Sequence, residues 1–493
     1  MVRAFEAIEH ALGHRRAGFI LLVLLAAGYA VAYFQHPLFP GHDPADAARG
    51  WWTWTDQSRY LQESNAIARL ELDASTYFYP VGYPALGAIF VRWMPLNPFF
   101  IPNLVFVLAA AAVWWRLAQR WLTRTMALGV GCIFIVSHPW LIAQTMVIPW
   151  NTLPTQCTLI AAIWVGLYVK GSAALGYLVG LTAVTYLFRP IDAATFAPLL
   201  VAATLKLPTW RAKLLGGTAG LLVIALVVLG VALMNLRVVG QWQTTYERVS
   251  SESIGFFGYP VSYKLYWLLV DGQPLFGELE PALLFRYPWL MLCLPAAVFL
   301  LQRERGAGLA VLATVTLNFA LYLNYNDLLP SDIYRFTLIH YLSWAFPLLF
   351  LLAAAACRHF SRSGWIQMGF GLAAISALVV SGLTMEPQQR ASLRETHGVY
   401  LLPNDRPLLL EFSTQPMETV SELRLTGRSL VEYSEYLVPY LPSPLTVLLG
   451  KKADGNLLTL GTDAPLTTAP IVSTYRWSWR LKPDRWKATT RYK

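Results

Sequence analysis

The sequence predicts an all-α polytopic membrane protein of about eleven transmembrane helices, with a small β-rich exterior domain at its C-terminal end. Three observations carry this. Of 493 residues, 56% are hydrophobic and only 13% charged, against roughly 25% charged in soluble domains. Several apolar runs approach the ~20 residues that cross a bilayer as a helix. Lys and Arg gather in the short connections between those runs, where they set orientation. That placement accounts for the net charge of +10 and argues against a nucleic-acid partner.

Taken in order, Met1 to Arg16 is basic and precedes the first span, Ala17 to Phe34. His14, Arg15 and Arg16 put the N-terminus on the cytoplasmic side. No small-residue cleavage site follows the apolar run, so it is expected to remain as an anchor. Residues 35–98 form a first exterior loop, with Trp51, Trp52, Trp54 and Tyr60 expected at headgroup depth. Within it, Gly82 to Met94 is apolar but short. If it crossed, Arg116, Arg120 and Arg124 would fall outside, so it is expected to lie in the interface or re-enter.

The remaining spans then alternate in agreement with the charge rule. Phe100–Trp115 runs inward and Met126–Val147 outward. Thr152–Val169 runs inward to Lys170, and Ala173–Phe188 outward. Ile191–Leu205 runs inward to Lys206, Arg211 and Lys213, and Leu214–Leu236 outward. Residues 237–286 form a second exterior loop. Tyr287–Leu301 runs inward to Arg303 and Arg305, and Leu309–Tyr325 outward. Phe336–Ala356 runs inward to Arg358, His359 and Arg362, and Trp365–Leu383 outward. Residues 1–385 thus form the membrane domain. Residues 386–493 lack a spanning run. Stretches such as SELRLTG, PLTVLLG and STYRWSWRLK alternate apolar and polar residues between Pro, Asn, Asp and Gly, the pattern of short strands.

Cys132, Cys157, Cys293 and Cys357 lie in or beside apolar runs with no CxxC spacing. They are expected to be small core residues, with no disulfide framework and no zinc site.

Candidate chemistry centres on Trp51 to Met94. Asp56 and Tyr60 are four apart and share a face if this stretch is helical. Tyr79-Pro80, Gly82 and Tyr83-Pro84 then redirect the chain. A loop aspartate is most often solvated or caps a helix. A carboxylate shielded by aromatic rings beside a membrane is also suited to acid–base work. Asp43 and Asp46 flank Pro44 and read as a turn.

WTDQSRYL, followed about twenty residues later by YPVGYPALGAIF, resembles the first exterior loop of the GT-C superfamily of membrane glycosyltransferases, which includes protein mannosyltransferases and the aminoarabinose transferase of lipid A. The family's pattern is Asp-Glu, a Tyr a few residues on, then a Tyr-Pro-Pro-Gly-like segment. Asp56 and Tyr60 match, Gln57 replaces the frequent Glu, and Tyr79-Pro80-Val81-Gly82-Tyr83 matches with one proline changed. GYLVGLTAVTYLFRP, ending in Arg189-Pro190, is similar to the family's small-residue helix. IYRFTLIHYLSWAFPLLFLL, with Arg335 and Pro347, is similar to its late Arg-aromatic span. The resemblance covers about Ala17 to Leu352.

The resemblance implies a GT-C-like fold and transfer of a sugar from a polyprenyl-phosphate-linked donor to an acceptor at the outer face of a bacterial-type inner membrane. It gives Asp56 the role of catalytic base or metal ligand, and leaves a divalent metal open as cofactor. Tyr60, Tyr79, Tyr83, Asn151, Arg189, Arg335 and His340 are the expected substrate contacts. Arginine suits bidentate phosphate contact, although Arg189 and Arg335 at span ends could equally snorkel. In one place the chain departs from the family. Many relatives carry an acid in the short exterior connection after the third span, where this chain reads MVIPWNTLP. Asn151 can coordinate or hydrogen-bond but cannot be a base.

Other groups read more plainly. Asp327 and Asp332 beside Arg335 suggest a polar loop with a local ion pair. As to metal binding, His340 reads as a satisfied core histidine rather than a ligand, and Asp271, Glu278, Glu280 and Arg286 could contact an acceptor but have no telling spacing. Tyr475, Trp477 and Trp479 could stack a sugar if they alternate onto one strand face, but read first as strand packing or membrane-surface anchoring. A non-catalytic relative that binds lipid-linked glycans is the alternative, favoured by Asn151 and Gln57. A transporter is third, since no internal repeat is seen and the spans carry few ionisable residues.

Overall fold

The computed structural model describes residues 14–36, 39–41, 50–53, 55–138, 142–251, 261–270, 282–325 and 341–360, with short strand segments between 399 and 487. The helices are α1 (His14–Phe34), α2 (Thr55–Arg69), α3 (Gly82–Phe90), α4 (Phe100–Trp121), α5 (Arg124–Ser137), α6 (Thr152–Tyr168), α7 (Gly171–Phe188), α8 (Pro190–Ala193) and α9 (Ala197–Leu205). They continue as α10 (Trp210–Val239), α11 (Thr245–Val249), α12 (Val261–Leu269), α13 (Leu283–Arg286), α14 (Cys293–Asn324) and α15 (Phe346–Phe360).

Five stretches are long and apolar enough to cross a membrane: Phe100–Trp121, Gly171–Phe188, Trp210–Val239, Pro288–Asn324 and Ser343–Phe360. Gly18–Phe34, Arg124–Ile135, Thr152–Tyr168 and Pro190–Leu205 are apolar and shorter. The pattern is that of a multi-pass membrane protein. In α10, Leu215, Leu221 and Leu222 are exposed and only Gly220 and Asn235 are buried. A helix apolar on its outer faces is at home in lipid. Its ends are set locally: Thr209 Oγ1 accepts from Ala212 N at 3.1 Å, and Gly240 closes it at φ 71°.

The nine residues of α3 rise only about 14 Å, short of the ~30 Å hydrocarbon core, in keeping with a stretch not expected to cross. Several expected spans differ in detail. The region expected as Met126–Val147 is divided, with α5 ending at Ser137 and a π-helical turn at Ala143–Val147. The region expected as Ile191–Leu205 is α8, a 3-10 turn at Ala194–Phe196 and α9. α14 breaks at Arg305, where φ is 47°. A Cβ on Gly308 would lie 2.6 Å from the carbonyl of Leu300. Eight residues along a straight helix are about 12 Å apart, so the chain doubles back between Leu300 and Gly308, as the basic turn at Arg303 and Arg305 predicts. The expected span Trp365–Leu383 lies outside the described residues.

The chain parts into two compact units. The first holds α1 to α10, α11 up to Arg248, the α14 residues up to Phe319, and α15. It has two cores. One is largely aliphatic, including Leu117, Ala118, Ile163, Leu178, Leu348 and Leu351. The other is aromatic, built around Tyr33, Trp51, Tyr60, Tyr79, Tyr83 and Trp150. Arg120 of α4 clasps Glu304 of α14 through two 2.7 Å bonds, and Trp121 Nε1 donates to the same carboxylate at 2.9 Å.

In the second unit, Lys264 of α12 is fully buried and donates to Tyr325 O at 2.6 Å, while Tyr325 Oη bonds Ser250 Oγ at 3.1 Å. Short antiparallel strand segments are described between Val399 and Lys487. A β-rich exterior domain built from them is a proposal. Cys132, Cys157 and Cys293 are half-buried, as small packing residues should be, but Cys357 is exposed and is not a core residue.

Candidate functional site

The aromatic core of the first unit gathers most of the residues expected to carry chemistry. α2 is favoured by Asp56 in its first turn and Arg69 in its last, which suit the helix dipole. Its inward face carries Asp56, Gln57, Tyr60, Glu63 and Ser64, and it packs through hydrogen bonds made by these polar side chains as well as through the Tyr60 ring. Against it lies the extended segment Tyr77 to Pro80, followed by α3. The approach is close. A Cβ on Gly87 would sit 2.4 Å from Ser64 Oγ and 2.6 Å from the Phe99 ring. Ser64 Oγ donates to Tyr60 O at 2.7 Å or Pro84 O at 2.9 Å.

Asp56 is half-buried and accepts a hydrogen bond from the hydroxyl of Tyr79. Tyr79, Tyr60 and Tyr83 are fully buried behind it. The Tyr60 ring lies 4.4 Å from Tyr79 and 5.1 Å from Tyr83, and Tyr83 stacks on Phe99 at 4.4 Å. Tyr83 Oη donates to Asn103 Oδ1 at 3.0 Å. Burial, with the charge of Asp56 next in weight, pushes the hydroxyls of Tyr60 and Tyr79 well above the ordinary phenol range. Both stay protonated at neutral pH, so Tyr79 serves Asp56 as a donor.

Asn151 and Arg189 form the other wall. Arg189 follows α7 and precedes Pro190, which occupies the first position of α8 where its missing N–H costs nothing. Arg189 Nη1 donates to Asn151 Oδ1 at 3.2 Å, and Asn151 Nδ2 donates to Phe188 O at 3.3 Å. Arg189 Nε meets Asp192 Oδ2 at 3.0 Å, both side chains buried, and the guanidinium lies 5.0 Å from the centroid of the Tyr341 ring. Arg189 therefore does not snorkel. The two walls are joined by backbone. A Cβ on Gly82 would lie 2.5 Å from Leu187 O, so only glycine lets α3 start against the end of α7. Tyr60 is within electrostatic reach of both Asp56 and Arg189. Gln57 is fully buried and donates to Pro149 O at 3.0 Å, tying α2 to the connection that carries Asn151.

Asp56, Tyr60, Tyr79, Tyr83, Asn151 and Arg189 thus meet in one region. Arg335, His340, Asp327 and Asp332 lie outside the described residues, as do Asp43, Asp46, Asp271, Glu278, Glu280 and Trp479. The side chains of Arg286, Tyr475 and Trp477 are also outside the description. Sequence reasoning missed Asp192, Glu63 and Tyr246. Tyr246 opens α11, its N–H donates to Phe78 O at 2.9 Å, and its half-exposed ring lies 4.7 Å from Tyr79. Among the described residues no group of three or more His, Cys, Asp or Glu could hold a metal ion. The nearby donors are an aspartate already bonded to a phenol, a neutral amide and an ion-paired aspartate, a set that does not fit a divalent ion.

Next to this region lies a small apolar cavity of about 70 Å³, bordered by Leu25, Trp114, Phe134, Met146, Leu153 and Gln156 among others. Leu153 and Gln156 belong to α6, the helix that Asn151 precedes. The polar groups on the cavity border are engaged: Gln156 Nε2 donates to Ser343 Oγ at 2.8 Å and Trp114 Nε1 to Pro347 O at 2.7 Å. No family model, curated protein or solved structure matches this chain.

Proposed function

We propose that the protein is a GT-C-like membrane glycosyltransferase that moves a sugar from a polyprenyl-phosphate donor to an acceptor at the outer face of a bacterial-type inner membrane. The observation that carries this is the meeting of Asp56, shielded by a tyrosine column, with Arg189 and Asn151 beside a small apolar cavity. A lipid-linked sugar has three parts, and the region offers each a counterpart. A prenyl chain suits apolar walls, a sugar suits aromatic rings with a carboxylate, and a phosphate suits a fixed guanidinium.

In the proposed step, Asp56 takes the proton of an acceptor hydroxyl as that oxygen bonds to the anomeric carbon. The bond from that carbon to the donor phosphate oxygen breaks, with inversion, and polyprenyl phosphate leaves with the electron pair. A base placed within hydrogen-bond reach contributes roughly 10²–10⁴-fold. Arg189 stabilises the growing phosphate charge, and Arg335 and His340 remain proposed contacts on the same reading. No step uses a metal. The topology that goes with this reading has about eleven spans, a cytoplasmic N-terminus and a periplasmic β-rich domain over residues 386–493.

A second reading is a non-catalytic protein that binds lipid-linked glycans. Two points favour it: Asn151 stands where members of the GT-C superfamily that the chain resembles often have an acid, and Asp192 already balances the charge of Arg189. Release of polyprenyl phosphate by the purified protein, over a panel of polyprenyl-phosphate sugars, separates the two. Release from at least one donor supports the transferase. Binding of the donors without release supports the second reading.

A further inference from the structure

Glu63 takes no part in the step above, and its surroundings are unusual. It is fully buried in α2. It follows Asp56 by seven residues and Tyr60 by three, so all three side chains lie on one helix face. Glu63 Oε2 accepts from the backbone N–H of Tyr79 at 3.0 Å and from that of Phe78 at 3.4 Å. Glu63 Oε1 has no partner among the described residues. At the far end of the same tyrosine, the hydroxyl donates to Asp56. One side chain is therefore held at both ends by acids from a single helix face.

The opposite edge of this backbone is held as well. Phe78 O accepts from Tyr246 N at 2.9 Å, and Tyr77 O accepts from Thr245 Oγ1 at 3.4 Å. Tyr77 Oη in turn donates to Asn235 Oδ1 at 2.6 Å. The segment is thus gripped through its N–H groups by α2 and through its carbonyls by α11. A buried carboxyl with an unmatched oxygen is expensive to keep. An apolar side chain would fill the space at lower cost, but it would leave two amides unsatisfied and the segment free to slide along α2.

We propose that Glu63 is a positioning residue which, by anchoring the amides of Phe78 and Tyr79, sets where the Tyr79 hydroxyl meets Asp56. Burial pushes the Glu63 carboxyl up to about 8, so at neutral pH it is held mainly as the neutral acid. The inference concerns the Asp56–Tyr79 pair and stands whether or not sugar transfer is the chemistry that the pair performs.

The test is the ζ-carbon NMR signal of tyrosine in the full-length protein, labelled with ζ-¹³C tyrosine and held in lipid nanodiscs. The Tyr79 signal is identified by its loss in Tyr79→Phe. That shift reports the hydrogen bond the hydroxyl makes, which a purely packing role for Glu63 would leave unmoved. Asp56→Asn displaces the signal toward that of a solvated phenol. Glu63→Met keeps the volume and removes the acceptor, and is expected to displace it in the same direction by at least half as much. Glu63→Gln keeps an acceptor oxygen and is expected to retain the wild-type position. A Tyr79 signal that Asp56→Asn moves and Glu63→Met does not would overturn the proposal. If Glu63→Met loses the dispersed tyrosine spectrum altogether, the glutamine variant is read first. A displaced Tyr79 signal there, with the other tyrosines in place, overturns the proposal; with a retained one, Glu63→Ala, which also lacks the acceptor, decides, a displaced Tyr79 signal upholding the proposal and an unmoved one overturning it. Failure of sugar transfer alters none of these outcomes.

Discussion

Arg189 and Asp192 form a buried ion pair three residues apart across the start of a helix. Two buried charges attract strongly but lose their hydration, so the pair adds little net stability, whereas removing one partner strands the other. Asp192→Ala is expected to destabilise the protein by about 3–5 kcal/mol and to lower its thermal midpoint in detergent. An unchanged midpoint would mean that the guanidinium finds another anion. Glu63 gives the residue scale its pH dependence. Its carboxyl is raised from the usual value near 4.5 to about 8 in the folded chain, so the folded state holds the proton more tightly than the unfolded one. The stabilisation is complete below about pH 4.5 and is lost as pH rises through about 8, by up to about 1.4 kcal/mol per unit. Thermal midpoints measured across that window should fall, and Glu63→Gln, which cannot ionise, should flatten the slope.

At the scale of elements, the site depends on α2 and α3 lying almost in backbone contact. Gly87→Ala places a Cβ 2.4 Å from Ser64 Oγ and 2.6 Å from Phe99, and overpacking of this kind costs about 1–3 kcal/mol. Gly129 in α5 has nothing within 4 Å of the same position, so Gly129→Ala is expected to be neutral or to stabilise by up to about 1 kcal/mol. Thermal midpoints of the two variants should move in opposite directions or, at the least, differ clearly. This scale also shows what the sequence made legible. Asp56 and Tyr60 share a helix face because their spacing is four. Tyr79 and Tyr83 could be placed beside them because prolines and Gly82 mark where the chain turns back. Asp192 was missed although it left a signal, an acid three residues after Arg189 in the first turn of a helix. Glu63 left none. In TDQSRYLQESNAIAR it reads as one more polar position of an exposed helix, and its partners are backbone amides fifteen and sixteen residues away. Tyr246 is more than 160 residues from Tyr79, with no pattern to link them.

At the scale of the molecule, composition and charge placement were enough for a multi-pass helical protein, because lipid leaves few other ways to satisfy a backbone. They were less able to mark where helices break. The π-helical turn at Ala143–Val147 and the 3-10 turn at Ala194–Phe196 interrupt runs that are continuous by hydropathy, since apolar side chains report burial and not backbone register. The proposed orientation is open to labelling. With the four native cysteines replaced, a cysteine at Ser75 should react with an impermeant maleimide only from the exterior, and one at Ser172 only from the cytoplasmic side. Both positions are exposed. Reaction of both from the same side would refute the alternation of spans between them.

On the proposed reading, the Asp56 carboxylate drives transfer from a lipid-linked sugar. The most direct measurement is polyprenyl phosphate release by purified wild type and Asp56→Asn, side by side, with the donor that wild type uses. Asparagine nearly matches the shape of aspartate and cannot take a proton. The account predicts release by wild type and a fall of about 10²-fold or more in the variant with its thermal midpoint retained. Equal release by both proteins, or no release from any donor, would contradict it.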